Sequence, residues 1–490
     1  MLMNPRLGAI GAVSLAAVSL LAMLPINPAA AQEATTQAND PTVFHRSEAT
    51  TWRWHLQAGI NGVAEQNLFW NLAAITEAGR DYDPDKAWLE MYVKPGLSFE
   101  RTLGSGATLY GKVSAVASAT RGTDAFDDTN NSATTLEEAN VGLRGKTEGQ
   151  LSYDVSIGRS ELKLGTGMLI ANGGSSGFER GALKFGPRKA WDRAVMARVS
   201  GGNIAGTVFY LSPNELPSSE SGNELAGLDV RHDDPRGGYL GATVLSVLDS
   251  ESSYPQAAPG GIGAPIVIPG ARDGTRTLNL YAKTNPLSAL PNWTFAAEVA
   301  FQRNDRIDLE AWAGRVQAAY AFQNQPWSPT LTYSFQTFSG DDPVTSKLER
   351  FDPLYYEGNP NAWSTGSKSS MTFINSNLQA HLIALRVQPT QRDTVTLRYA
   401  HIRANELGSP IQFGQATREI DTGNGAIVVA GVTDAHLADD LFLEYNRVLG
   451  TRIFLTAGVA ISAPGRGIRV VTAGDDPNWM GGFANVVVNY

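Results

Sequence analysis

The 490-residue sequence contains no cysteine, which excludes disulfides, thiolate metal ligands and a cysteine nucleophile. Beyond the first 31 residues it has no run of roughly 18 apolar residues, the length a membrane-spanning helix needs. Its six histidines (His45, His55, His232, His381, His401 and His436) are scattered, without the His-x-x-x-His spacing of a helical zinc site. A Gly-x-Ser-x-Gly elbow and a phosphate-cradling glycine loop are both missing, so hydrolase and nucleotide-dependent chemistry have no residues to rest on. The expectation is a chain that is not an enzyme and holds neither cofactor nor metal. Cationic excess is lacking too. The formal charge is −9, or −10 once Arg6 is removed with a leader, which disfavours nucleic acid as a partner.

What the chain has is glycine, 50 residues of it, and alternation. From Trp52 to Asn61, Trp52, Trp54, Leu56, Ala58 and Ile60 share one parity, while Arg53, His55, Gln57, Gly59 and Asn61 share the other. A strand with one apolar and one polar face results. The same pattern recurs to Tyr490 and marks eighteen strands, near 51–62, 87–101, 106–120, 135–147, 150–160, 190–201, 202–212, 225–233, 237–249, 275–285, 292–304, 308–323, 328–339, 374–388, 392–404, 434–449, 451–463 and 480–490. Gaps after odd-numbered strands are mostly long and those after even-numbered strands short. An even number of strands with alternating long and short connections predicts an all-β fold, a transmembrane antiparallel β-barrel with long extracellular loops and short periplasmic turns.

The N-terminal residues agree with export. Arg6 precedes an apolar stretch from Leu7 to Leu24, and Ala29-Ala30-Ala31 ends it with a small-residue cleavage signal. Residues 1–31 read as a signal peptide, 32–50 as a periplasmic segment and 51–490 as the barrel. Trp52, Trp54, Trp293 and Tyr490 face outward near strand ends, as an aromatic girdle does. The C-terminal Tyr490 matches the tail read by the barrel-insertion machinery. Together these place the chain in the outer membrane of a Gram-negative cell, among lipid and lipopolysaccharide.

Function is then sought on the inward parity, because eighteen strands enclose a lumen wide enough for a channel. Arg53, Lys112, Arg144, Arg315 and Arg398 fall on that wall, among Glu90, Glu138, Glu298 and Glu444 and the tyrosines Tyr92, Tyr110 and Tyr281. Arg159 is added as a wall contact. The third long gap and the strand after it concentrate cations: Arg180, Lys184, Arg188, Lys189, Arg193 and Arg198, against Glu179 and Asp192. If this loop folds inward it forms a cationic constriction that focuses anions; if it lies outward it meets lipopolysaccharide head groups.

Three blocks give the chain a family likeness. The first is Tyr153-Asp154-Val155-Ser156-Ile157-Gly158-Arg159 through Leu164. The second is Phe335-Gln336-Thr337-Phe338-Ser339-Gly340-Asp341-Asp342, then Arg350-Phe351-Asp352-Pro353-Leu354-Tyr355 and Asn375-Ser376-Asn377-Leu378. The third is Thr396-Leu397-Arg398-Tyr399 with the closing strand. In these the chain resembles the alginate export family of outer-membrane channels, with Ser160 where that family often carries Gln. The resemblance implies an 18-stranded monomeric barrel that conducts an anionic exopolysaccharide outward through an arginine-rich lumen; periplasmic export partners are a further expectation. Read from its residues, the chain is a passive channel for an anionic polysaccharide or anionic sugars. A general solute porin and a surface scaffold or receptor without transport stand as the alternatives.

Overall fold

Residues 40–71, 83–358, 362–366, 373–411, 431–471 and 477–490 are described by the computed structural model of the chain. The signal peptide assigned to 1–31 lies outside them. Each alternating segment forms a strand. The first half of the barrel is β2 (Thr50–Gln66), β3 (Lys86–Thr102), β4 (Thr108–Gly122), β5 (Ser132–Lys146), β6 (Ser152–Ser160), β7 (Trp191–Gly201), β8 (Ile204–Ser212), β9 (Glu224–Asp233) and β10 (Tyr239–Asp249). The second half is β13 (Arg276–Lys283), β14 (Trp293–Asn304), β15 (Leu309–Ala321), β16 (Thr330–Phe338), β17 (Leu378–Thr390), β18 (Asp393–Ala404), β19 (His436–Leu449), β20 (Ile453–Pro464) and β21 (Trp479–Asn489). All eighteen pair antiparallel with their sequence neighbours, and β21 closes on β2 through Gln57↔Asn489 to Gln66↔Met480. Closure satisfies every strand edge, which a bilayer demands because it offers the backbone no hydrogen-bond partner.

Three short strands lie outside the wall. β1 (Val43–Arg46) folds back on the start of β2, beside the C-terminus, where Leu56 and Tyr490 exchange backbone hydrogen bonds. β11 (Tyr254–Gln256) and β12 (Ile266–Ile268) form a hairpin within the loop after β10. At this turn end, rings gather on the outer surface: Trp54 stacks on Tyr490 with centroids 4.5 Å apart, Trp52 tilts against Phe99 at 5.2 Å, and Trp293 meets Tyr320 at 5.1 Å. Above them Ile60, Val113, Ile157, Val208 and Val316 point outward and stay exposed, forming the band that lipid covers.

The wall's inner surface uses close approach. Tyr110 of β4 lies across Gly142 of β5, where an added Cβ would come within 2.3 Å of the ring; Tyr281 covers Gly241 in the same way. Glycine opposite an aromatic lets the ring lie flat on the strand and so shapes a curved sheet. Tyr92 and Tyr281, placed on the inward wall by their parity, are buried rather than bared to the lumen; their hydroxyls donate to Gln57 and Asp229.

The extracellular half of the barrel is filled. Leu68, Phe69 and Trp70 from the first loop, Leu164, Met168, Leu169 and Ile170 from the third, and Phe351, Trp363 and Phe373 from the seventh pack against Trp191, Phe209, Phe338 and Trp479 of the wall. Each such side chain contributes roughly 1.5–3 kcal/mol by leaving water. The loops therefore form a core inside the barrel mouth, which strand alternation alone does not reveal.

Candidate functional site in the lumen

The third loop, 161–190, crosses the lumen. On one side Thr166 donates to Glu298 of β14, and Gly165 lies against Tyr281 of β13. On the other the backbone N–H groups of Lys184 and Phe185 donate to the two oxygens of Glu90 at 2.8 and 2.9 Å. Glu90 is fully buried on β3 and also accepts from Trp88 Nε1 at 2.9 Å. A carboxylate taking several N–H donors is a strong anchor. The inward-folding alternative for this loop is the one the structure adopts.

Its cations do not form an open constriction, however. Arg188 is 1% exposed and gives hydrogen bonds to Thr135 Oγ1 (2.7 Å), Ser118 Oγ (2.9 Å) and the carbonyls of Ala133 and Val116. Burial, then the charge of Arg180, lowers its guanidinium to about 10. Arg180 is also buried, donating to the carbonyls of Ser175, Asn214 and Glu215. Arg188 fastens the loop to β4 and β5 of the wall, and Arg180 ties it to the loop after β8. Two further expected lumen residues sit elsewhere, on the outward parity of their strands. Arg159 follows the parity of the exposed Val155 and Ile157 and pairs with Asp192. Arg193 follows exposed Val195 and pairs with Glu224 at 3.2 Å. Strict alternation along each strand, taken from Val155 and Ile157 or from Val195, turns both away from the lumen.

The remaining cations do face inward. Beside the third loop, Lys94 of β3 lies 2.8 Å from Glu161, 3.4 Å from Glu137 and 3.7 Å from Glu138, and Lys112 lies 2.8 Å from Glu138. Both neighbouring carboxylates are buried because β5 bulges: Ser114 pairs with Glu138 and Ala115 with Leu136, leaving Glu137 as the extra residue. Glu137 accepts the backbone N–H groups of Lys189 and Ala190 at 2.8 and 3.1 Å, another tie between loop and wall. Burial pushes the Glu161 carboxyl up, but Lys94 and then Lys189 hold it below its ordinary range. On the far wall Arg315 lies over the Trp363 ring at 3.7 Å and donates to Ala362 O, and Arg398 pairs with Glu444 at 3.4 Å.

Toward the turn end the balance changes. One row across the sheet runs Thr108, Arg144, Asp154, Arg198, Thr207 in register. A recess of about 670 Å³ opens there, lined by Arg144, Lys146 and Arg198 with Thr108, Ser152, Ser200 and Asp154. Arg144 is bridged to Glu100 at 2.6 Å, with Arg53 on the same carboxylate at 3.2 Å, and Arg198 has no ion pair among the described residues. Tyr110 donates to Asp154 at 2.5 Å, and the Arg144 guanidinium stands 5.2 Å from its ring centroid. Three cations, the hydroxyls of Ser105, Thr108, Ser152 and Ser200, and Tyr153 so surround a space that suits a small polar solute.

Comparison with known proteins adds two findings. Residues 273–458 match the family model described as alginate export. Among solved structures, Pseudomonas aeruginosa OccK5 (OpdH) is 8% identical over 89% of this chain and 98% of its own, with a TM-score of 0.50. Acinetobacter baumannii OccAB4 is 9% identical over 91% and 99%, also at 0.50. At such identities the likeness is one of fold, that of an outer-membrane β-barrel. No curated protein sequence matches the chain.

Proposed function

We propose that the chain, whose residues 273–458 match the alginate export family model, is a passive outer-membrane channel for acidic saccharides, uronate oligomers among them. The observation that carries the reading is the row at the turn end of the lumen. Arg144, Lys146 and Arg198 outnumber Asp154 there, and threonine and serine hydroxyls supply the additional hydrogen bonds a sugar ring needs. Deeper in, Lys94 and Lys112 continue the cationic side, each already facing a carboxylate. A solute carboxylate exchanges with Glu100 or Glu138 as partner of a wall cation, so binding stays shallow enough for release, as conduction requires. The loop core in the extracellular half favours short oligomers over a thick polymer strand.

Uptake into liposomes containing the purified barrel tests this. Glucuronate oligomers should enter faster than neutral maltodextrins of equal length. The double substitution R144Q/R198Q should reduce that preference by about fivefold, the effect of roughly 0.5 kcal/mol lost at each of two exposed charges. Equal entry of acidic and neutral sugars, unaffected by the substitutions, would contradict the reading and favour a general porin. The packed loops also support a second reading, a surface receptor with a closed lumen, in which neither sugar enters.

A further inference from the structure

Three of the scattered histidines lie on adjacent strands on the outer surface of the barrel. His401 is on β18, paired in register with His381 of β17 and with Asp439 of β19. The β18–β19 pairing then slips: Ile402 faces Ala438, but Arg403 faces His436. That irregularity turns His436 to the face of Asp439, although residues three apart on a regular strand point to opposite faces. His401 Nδ1 lies 2.8 Å from Asp439 Oδ1 and His436 Nε2 lies 2.9 Å from Asp439 Oδ2. The two imidazoles stack with centroids 4.7 Å apart, and all three ligand atoms lie within 4.8 Å of one another.

We propose that His401, His436 and Asp439 form a binding site for a divalent transition metal such as Zn²⁺ on the outer wall at the extracellular rim. Two imidazole nitrogens and one carboxylate oxygen are a borderline donor set suited to zinc, nickel or copper, not to calcium or magnesium. Drawing the atoms from 4.8 Å to a shared ion at about 2.1 Å from each needs only side-chain rotation. The side chains are about one-third exposed, which permits that rotation and leaves the fourth coordination position open. Tyr399 supports the site from behind, its hydroxyl donating to Asp439 Oδ1 at 2.7 Å and fixing the carboxylate, as outer partners of metal ligands do. Below the cluster the exposed Leu397, Leu441 and Leu443 belong to the lipid-facing band, so the open position lies at the level of the membrane surface. A bound ion joins β18 to β19 at the root of the loop between them.

The test uses the full barrel without a histidine tag, refolded in detergent and stripped with chelator. Titration with Zn²⁺ followed by calorimetry should show one saturable site that excess Mg²⁺ does not compete for. Substitution H401A/H436A should abolish it, and D439N should weaken it by about tenfold, the lower end of what a lost ligand or ligand partner costs. Zn²⁺ should also raise the unfolding temperature of the wild-type barrel and leave that of the double variant unchanged. If the double variant does not fold, H401Q alone decides by the same readout. Absence of saturable binding, or binding that persists unchanged without His401, would overturn the proposal.

Discussion

Replacing Arg188 by methionine separates a loop anchor from a selectivity filter. The guanidinium makes two short hydrogen bonds, to Thr135 and Ser118, and two longer ones to carbonyls, with no carboxylate in contact. Hydrogen bonds from a charged donor are worth about 1.5–3 kcal/mol each, so the two short ones hold about 3–6 kcal/mol. Removing the group also removes the cost of keeping a charge buried, which brings the net loss to about 3 kcal/mol. At about 1.4 kcal/mol per tenfold, the undocked population of the third loop rises by roughly two orders of magnitude. Arg180 and Glu90 keep their own ties, so the loop loosens without leaving the lumen. Single-channel recording of R188M should show added conductance levels and more open-channel noise, at an anion-to-cation permeability ratio equal to wild type. A constant conductance with a sharp fall in that ratio would refute the assignment, because it would mean that the guanidinium faces the passage.

Other perturbations act on the same framework. Lys94→Met leaves Glu137, Glu138 and Glu161 without their shared cation; breaking such a buried pair costs about 3–5 kcal/mol, read as a lower urea midpoint, and the current should turn toward cations. Trp363→Ala removes a fully buried ring that donates to Thr166 and lies under Arg315; it should cost about 3–5 kcal/mol and raise conductance. Burial raises the Asp124 carboxyl in the loop after β4 to about 7, so the folded loop binds a proton that the unfolded chain, with a pKa near 4, does not. Its packing is therefore tightest in acid and weakens as pH rises from about 4 to about 7. Protection against hydrogen exchange across residues 123–131, taken relative to the base-catalysed intrinsic rate, should fall over that range in wild type and stay constant in D124N, whose side-chain oxygen can still accept the backbone N–H groups of Phe126 and Asp128.

The barrel was legible because strand alternation is a strong signal when one face meets lipid. All eighteen segments form strands, including 225–233, whose alternation is poor, and the gap at 304–308 is a genuine tight connection between β14 and β15. Arg53, Lys112, Arg144, Arg315 and Arg398 lie on the inward face of their strands, and Arg198, read only as one of the cations after the third gap, joins Arg144 there. What alternation cannot carry is an irregular strand. The β5 bulge turns Glu137 inward beside Glu138, and the β18–β19 shift gathers His401, His436 and Asp439. Nor does charge alone distinguish Arg188, buried under a loop, from Arg198, bare at the recess. That difference depends on how long loops pack inside the mouth, and the only sequence hint was their aromatic content: Phe69, Trp70, Trp363 and Phe373.

The central claim, a channel with a cationic entry for acidic saccharides, is tested most directly by single-channel current across a salt gradient, with oligouronates added on the side of the short turns. The account predicts an anion-selective current that the oligomers block, with block relieved in R144Q/R198Q. A current that oligouronates leave untouched, or no current at all, would contradict it.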